Sequence, residues 1–197
     1  MAVIKIMKPA REYRIHVDLI SHVSAYFERA LKIQGADEVT LDDIHPGIFD
    51  SFVDWLYTGE LSDSWDSRQV TEKLQAIVFG HKYMAPLFHA AVHNATVTFL
   101  VGRKIAPSPA DIKYLHENLP KDHALRELLV ELVSLHGTGA QSLAGSGLPE
   151  EFVKQVEAKI DERGIFLEKP ELEDCDFHVH ESEEERWKCE RDARDGL

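Results

Sequence analysis

Val39-Thr-Leu-Asp-Asp-Ile-His-Pro-Gly-Ile-Phe-Asp-Ser-Phe-Val-Asp-Trp-Leu-Tyr-Thr-Gly59 is the most informative stretch of this 197-residue chain. Its β-branched opening, Val39 to Leu41, reads as a short strand. Pro46 suits the first turn of a helix, where its missing N–H costs nothing. Ile48, Phe49, Phe52, Val53, Leu56 and Tyr57 then form a broad apolar stripe, and Gly59 supplies a helix stop. A strand thus runs directly into a helix with one buried, aromatic-rich face.

Upstream, Val3 to Met7 reads as a strand, Lys8 to Arg11 as a turn with Pro9 fixing φ, and Glu12 to His16 as a half-buried strand closing a hairpin. From Leu19 the period becomes helical through Ile20, Val23, Phe27, Ala30 and Leu31. Ser24 is placed to cap a fresh start, so two short helices are predicted, over 17–22 and 25–32, broken at Gln34-Gly-Ala-Asp37. Downstream, a polar loop over 61–68 precedes a helical face of Val70, Leu74, Ile77, Val78 and Met84. Pro86 begins another helix, to about Leu100. Ser108-Pro-Ala-Asp111 is similar to a capping box. Leu125, Leu128, Leu129, Leu132 and Val133 mark a further helix, and Phe152, Val153, Val156 and Ile160 a last one between Pro149 and Gly164. Strands gather first and helices follow, which is an α+β arrangement rather than a doubly wound sheet. The predicted organisation is a domain over 1–103, a helical extension over 104–167 with a flexible Gly-rich loop at 137–147, and a flexible acidic tail over 168–197.

Composition sets outer limits. Hydrophobic residues are 44% and charged residues 29%, enough apolar material for a packed core. The net charge is −13, and residues 168–197 carry 12 acidic against 5 basic side chains. That field opposes nucleic-acid backbones and anionic membranes, so neither is an expected partner. Both cysteines, Cys175 and Cys189, lie in the tail. A disulfide scaffold is excluded for the core and an intracellular, reducing compartment is expected. The N-terminal apolar run is too short for a signal peptide, and Val97-Thr-Phe-Leu-Val101 is far too short to cross a bilayer.

Tyr13-Arg-Ile-His16, Leu19-Ile20 and Ser24-Ala-Tyr-Phe27 resemble a strand and "S-x-Y-F" helix of a known family. Val39-Thr-Leu-Asp-Asp43, Phe49, Phe52 and Trp55-Leu-Tyr-Thr-Gly59 resemble its "V-x-L-x-D … F-x-x-F-x-x-W-L-Y-T-G". His81-Lys-Tyr-Met-Ala-Pro-Leu87 is similar to "A-x-K-Y-x-x-x-x-L". The family is the BTB/POZ domain, in the flavour of the small stand-alone BTB proteins of filamentous fungi, over about residues 3–103. The resemblance implies a BTB/POZ fold, a short N-terminal sheet with a cluster of helices. It also implies a protein-interaction module: an adaptor or self-associating scaffold, with other proteins as partners, itself as a homodimer and a cullin scaffold among them. Two departures qualify this. The chain opens almost in its first strand, without the extension of strand-swapped dimers. In place of the hydrophobic-x-Glu motif of cullin recruiters stands Ala36-Asp-Glu38, and Ala36 is too small to fill an apolar pocket.

No catalytic constellation is apparent, so a non-enzyme is expected. Gly137-Thr-Gly139 follows a helix rather than a strand, and Gly145-Ser-Gly147 lacks the nucleophile-elbow spacing. His116-Glu117 is followed by Asn-Leu-Pro, not a second ligand. His16 reads as a structural histidine bonded to backbone. His81, His89 and His93 lie on predicted helices; His89 and His93, at i, i+4, could hold a metal on one face but read rather as a surface or packing pair, and Asp37, Glu38, Asp42 and Asp43 as loop and turn acids. Trp55 and Trp65 stand either as core edge or as interface anchors.

The tail allows two readings. One is a solvated acidic run with no cofactor. The other is a Cys2His2 zinc site of Cys175, His178, His180 and Cys189, shielded by Phe177 and Trp187. In an extended chain His178 and His180 face the same way, and the ligand count suits zinc. The Cys-x2-His-x-His-x8-Cys spacing is not that of a standard finger.

Overall fold

The structure, a computed structural model, describes residues 1–136, 147–164 and 171–195. The chain forms two compact units, Met1–Val92 and His93–Leu197. The Gly-rich loop predicted at 137–147 lies, up to residue 146, outside the described residues.

The first unit begins with the expected hairpin. Strand β1 (Ala2–Met7) pairs antiparallel with β2 (Ala10–Ile15), from Ala2 opposite Ile15 to Met7 opposite Ala10. Its other edge pairs in parallel with β3 (Glu38–Leu41), Ile4 against Val39 and Ile6 against Leu41. Alternation decides the inward face: Ala2, Ile4, Ile6, Val39 and Leu41 are buried, with polar or half-exposed residues between them. The parallel partner needs a crossover, supplied by α1 (Val17–Val23) and α2 (Ala25–Glu28), which widens into one π-turn over Arg29–Ile33. Ser24 caps α2 as expected, its Oγ accepting from the Phe27 N–H at 3.2 Å.

Helix α3 (Pro46–Thr58) carries the aromatic face. Pro46 opens it, and Gly59 closes it in a left-handed conformation, φ 78°, that a Cβ would oppose. The buried positions are Ile48, Phe49, Phe52, Trp55 and Leu56. The predicted stripe is corrected at two places: Trp55 is inside and Tyr57 is 49% exposed. Nine residues beyond Ile48 is about two and a half turns, which sets Tyr57 on the opposite side. Phe52 sits at the centre of the core, with ring centroids 5.1 Å from Phe79, 5.2 Å from Phe88 and 6.3 Å from Phe27. Rings of this size contribute about 1.5–3 kcal/mol each by burial, so the cluster dominates the unit's stability. Tyr13 ties β2 to α3: its hydroxyl donates to Asp50 Oδ1 at 2.8 Å, and burial, with that bond, pushes the phenol up to about 12. A single 3-10 turn, Trp65–Ser67, leads to α4 (Val70–Lys82). Met84, expected on the inner face of that helix, lies beyond its end at φ 50° and is half exposed. Helix α5 (Pro86–Arg103) follows.

The second unit is helical. Its described elements beyond α5 are α6 (Pro109–Asn118), α7 (Ala124–His136) and α8 (Glu150–Gly164), then a 3-10 turn, Asp174–Phe177, and α9 (Glu183–Asp195). Ser108 and Asp111 close the capping box that begins α6. Leu125, Leu128, Leu129 and Leu132 of α7 are fully buried with Ile112, Leu115, Phe152 and Val156. Inside this apolar pack Glu131 is paired with Lys159 at 2.8 Å and with Arg163. The segment read as an acidic tail carries the last two of these elements. Phe177 and Cys175 are buried, which gives the segment an apolar foothold that counting charges misses. Among the described residues no helix is long and apolar enough to cross a membrane.

Candidate functional site

The residues nominated in the first unit take structural places. His16 is exposed, and its Nδ1 meets the Tyr57 hydroxyl at 2.9 Å rather than the backbone. Glu38 pairs with Lys5 at 2.5 Å. Asp43 accepts from Tyr83 Oη and pairs with Lys82, fastening the turn before α3 to the end of α4. Partial burial raises the Asp43 carboxyl, but these two donors outweigh it and hold the group below its ordinary range. Tyr83, by burial first and Asp43 second, is held protonated far above the ordinary phenol range. Asp42 stays exposed. The anchor reading of the tryptophans is overturned: Trp55 is 8% and Trp65 4% exposed, so neither offers a face to a partner. The side chain that is presented is Ile33, 73% exposed where the π-turn ends. Sequence reading passed over it in favour of Ala36. The signal that finds it is the Gln34 N–H bonded to the Arg29 carbonyl at 2.9 Å, a wide turn that swings the last apolar residue outward.

In the second unit the tail residues converge. Cys175 comes from the 3-10 turn, His178 and His180 from the extended chain after it, and Cys189 from α9. Cys175 Sγ lies 3.5 Å from His180 Nε2, and Cys189 Sγ lies 3.3 Å from His178 Nδ1. One ligand atom from each of Cys175, His180 and Cys189 falls within 4.8 Å of the others. The α5 segment of this unit holds the cluster in place. Asn94 exchanges two bonds with the Val179 backbone, at 2.8 and 3.0 Å, and buried His93 meets the Phe177 carbonyl at 2.7 Å. Burial, with Cys189 next to it, pushes the Cys175 thiol up to about 12. Phe177 is buried, whereas Trp187 is 75% exposed.

A cleft of about 460 Å³ between α6, α7 and α8 is lined by His116, Arg126, Glu127, Glu131 and Lys159 among others. Several of these groups are paired. Arg126 donates to the His116 carbonyl at 2.7 Å, and Glu131 holds Lys159 and Arg163. Burial first, then the Arg126 charge, lowers the His116 imidazole.

A small mixed sheet covered by helices around an aromatic core is an α+β architecture. Residues 2–92 match the family model of the BTB/POZ domain, and that span coincides with the first compact unit. This chain carries a BTB/POZ domain, a module through which proteins bind other proteins. No curated protein matches the chain.

Proposed function

We propose that this protein is a non-catalytic BTB-type adaptor whose first unit holds its partners, with a second copy of the chain as the first partner and a cullin scaffold as the alternative. The observation that carries the reading is the coincidence of the family match over 2–92 with an independently compact unit in which His16, Glu38 and Asp43 are engaged in structural bonds. Ile33 is the apolar anchor of this reading. Set on a protruding π-turn, it offers the hydrophobic contact that Ala36 cannot. Neither cysteine is joined in a disulfide, which suits an intracellular adaptor.

Light scattering after size exclusion tests it on the full chain. A dimer mass that falls to monomer in Ile33→Asp supports self-association through this turn. A monomer throughout, with co-elution of a purified cullin N-terminal domain that Ile33→Asp abolishes, supports the cullin alternative. A monomer that also ignores the cullin overturns both modes.

A further inference from the structure

We propose that Cys175, His178, His180 and Cys189 form a closed Cys2His2 zinc site that fastens helix α9 to the second unit. This goes beyond the adaptor reading and involves none of the residues that carry it.

Distances are the first support. In a tetrahedral zinc site, bonds of about 2.3 Å to sulfur and 2.0–2.1 Å to nitrogen set sulfur and nitrogen ligands about 3.6 Å apart. The two S···N separations here are 3.5 and 3.3 Å. Two of the six edges of such a tetrahedron are therefore in place, Cys175, His180 and Cys189 lie mutually within 4.8 Å, and His178, 3.3 Å from Cys189, completes the set by closing on the other two.

The second support is the proton on His178. Its Nε2 lies 3.0 Å from Thr98 Oγ1, and that hydroxyl donates its only proton to Asp174 Oδ2 at 2.8 Å. Thr98 is thus an acceptor toward the ring, which puts the imidazole proton on Nε2. The Nδ1 lone pair is left facing Cys189 Sγ. A ligating histidine whose other nitrogen is fixed through hydroxyl and carboxylate is the usual outer shell of a zinc site.

The third support is mechanical. Helix α9 exposes every side chain from Glu183 to Lys188, and its inner residues are only half-buried. A helix of this length is marginal in water without a buried face. Cys189 is the residue that reaches back toward the turn at Cys175. Two thiolates and one Zn²⁺ make a neutral centre, and binding releases the two thiol protons to solvent. An S2N2 set selects zinc over the oxygen-seeking cations, and with four protein ligands no position remains for a reactive water.

The test uses the full chain, prepared without a polyhistidine tag from zinc-replete cells. Elemental analysis is expected to find one zinc per chain, falling about tenfold or more in Cys189→Ser and in His178→Ala. Replacement by Co²⁺ is expected to give the visible bands of a tetrahedral dithiolate site. Because a ligand variant can misfold, the wild-type protein is also treated with a chelator. Tryptic cleavage within 183–195 is expected to accelerate about tenfold and to slow again when Zn²⁺ is restored. A metal-free wild-type protein that gives no cobalt–thiolate band overturns the proposal. So does a Cys175–Cys189 disulfide in the native protein, or cleavage that chelation leaves unchanged.

Discussion

Lys73 is fully buried, and its ammonium donates to the Trp65 carbonyl while lying 5.0 Å from the centroid of the Trp65 indole. A charge taken from water costs several kcal/mol, of which a desolvated cation–π contact returns about 2 kcal/mol. The tryptophan needs the packing more than the lysine does. The Trp65 carbonyl also accepts from the Arg68 N–H at 3.1 Å, so it keeps a partner if the ammonium is removed. Lys73→Met, which keeps the volume and removes the charge, is therefore expected to stay within about 1 kcal/mol of wild type. Trp65→Ala is expected to cost about 3–5 kcal/mol, from the cavity and the uncovered charge. Urea unfolding read at constant m-value separates the two. A Lys73→Met loss as large as that of Trp65→Ala would show the ion itself to be the anchor.

Ser24 makes two bonds from one hydroxyl. It donates to the Tyr83 carbonyl at 2.6 Å and accepts from the Phe27 N–H at 3.2 Å, and it is buried. Next to it, the Ala25 N–H donates to the Met84 carbonyl at 3.1 Å. The start of α2 is thus stitched to the end of α4. Ser24→Ala removes a cap and leaves a buried carbonyl without this donor, an expected loss of about 2 kcal/mol by thermal or urea denaturation. Ser24→Thr retains the oxygen but adds a methyl group in a packed site, and is expected to recover about half of that loss. No difference between Ala and wild type would mean that the cap bond is exchanged for solvent without cost.

Much of this architecture was legible along the chain because the deciding residues act locally. Pro46, Gly59, Ser24 and the Ser108–Asp111 box each fix a helix end through their own backbone or side chain, so a short window suffices. The hairpin was equally visible from its alternation. What a window cannot hold is pairing at a distance. The parallel match of β1 with β3 spans more than thirty residues. Trp55 and Tyr57 exchange places because an extrapolated stripe drifts out of phase with a 3.6-residue turn. The same limit applies to the candidate sites. Cys175, His178, His180 and Cys189 were recognisable as a ligand set by type, but Thr98 and Asn94, some eighty residues upstream, were not visible as their supports. Ile33 was missed because only the π-turn turns it outward.

Asp43 makes the first unit's stability sensitive to acid. Lys82 and Tyr83 hold the folded carboxyl below its ordinary 3.8. A depressed carboxyl contributes stability that is fully present above the unfolded value and is lost as pH falls through the folded one. The advantage of wild type over Asp43→Asn is therefore expected to be constant from neutral pH to about pH 5 and to decline as pH falls through and below the ordinary carboxylate range. Its size is about 1 kcal/mol, discounted for solvent screening because the Lys82 and Asp43 side chains are 52% and 36% exposed. Denaturation midpoints of the two proteins across pH 2–8 measure it. An advantage that grows on acidification would reverse the sign of the linkage.

At Gly80, α4 packs tightly against the start of α5 within the first unit. A Cβ built at Gly80 would stand 2.8 Å from both Cα and Cβ of His89 and 3.0 Å from its backbone nitrogen. Two opposing effects decide the outcome of Gly80→Ala. Helix propensity favours alanine by about 1 kcal/mol. Overpacking against backbone, which cannot rotate away as a side-chain tip can, costs about 3 kcal/mol. The net expectation is a loss of about 2 kcal/mol, since the clash exceeds the propensity gain. Gly102, near the end of α5, is the control, because nothing lies within 4 Å of its added Cβ. There the propensity gain stands alone, and Gly102→Ala is expected to stabilise by up to about 1 kcal/mol. Opposite signs for the two substitutions in one denaturation series would establish that Gly80 is fixed by helix contact. A gain at both positions would place the α4–α5 contact farther apart than 2.8 Å implies.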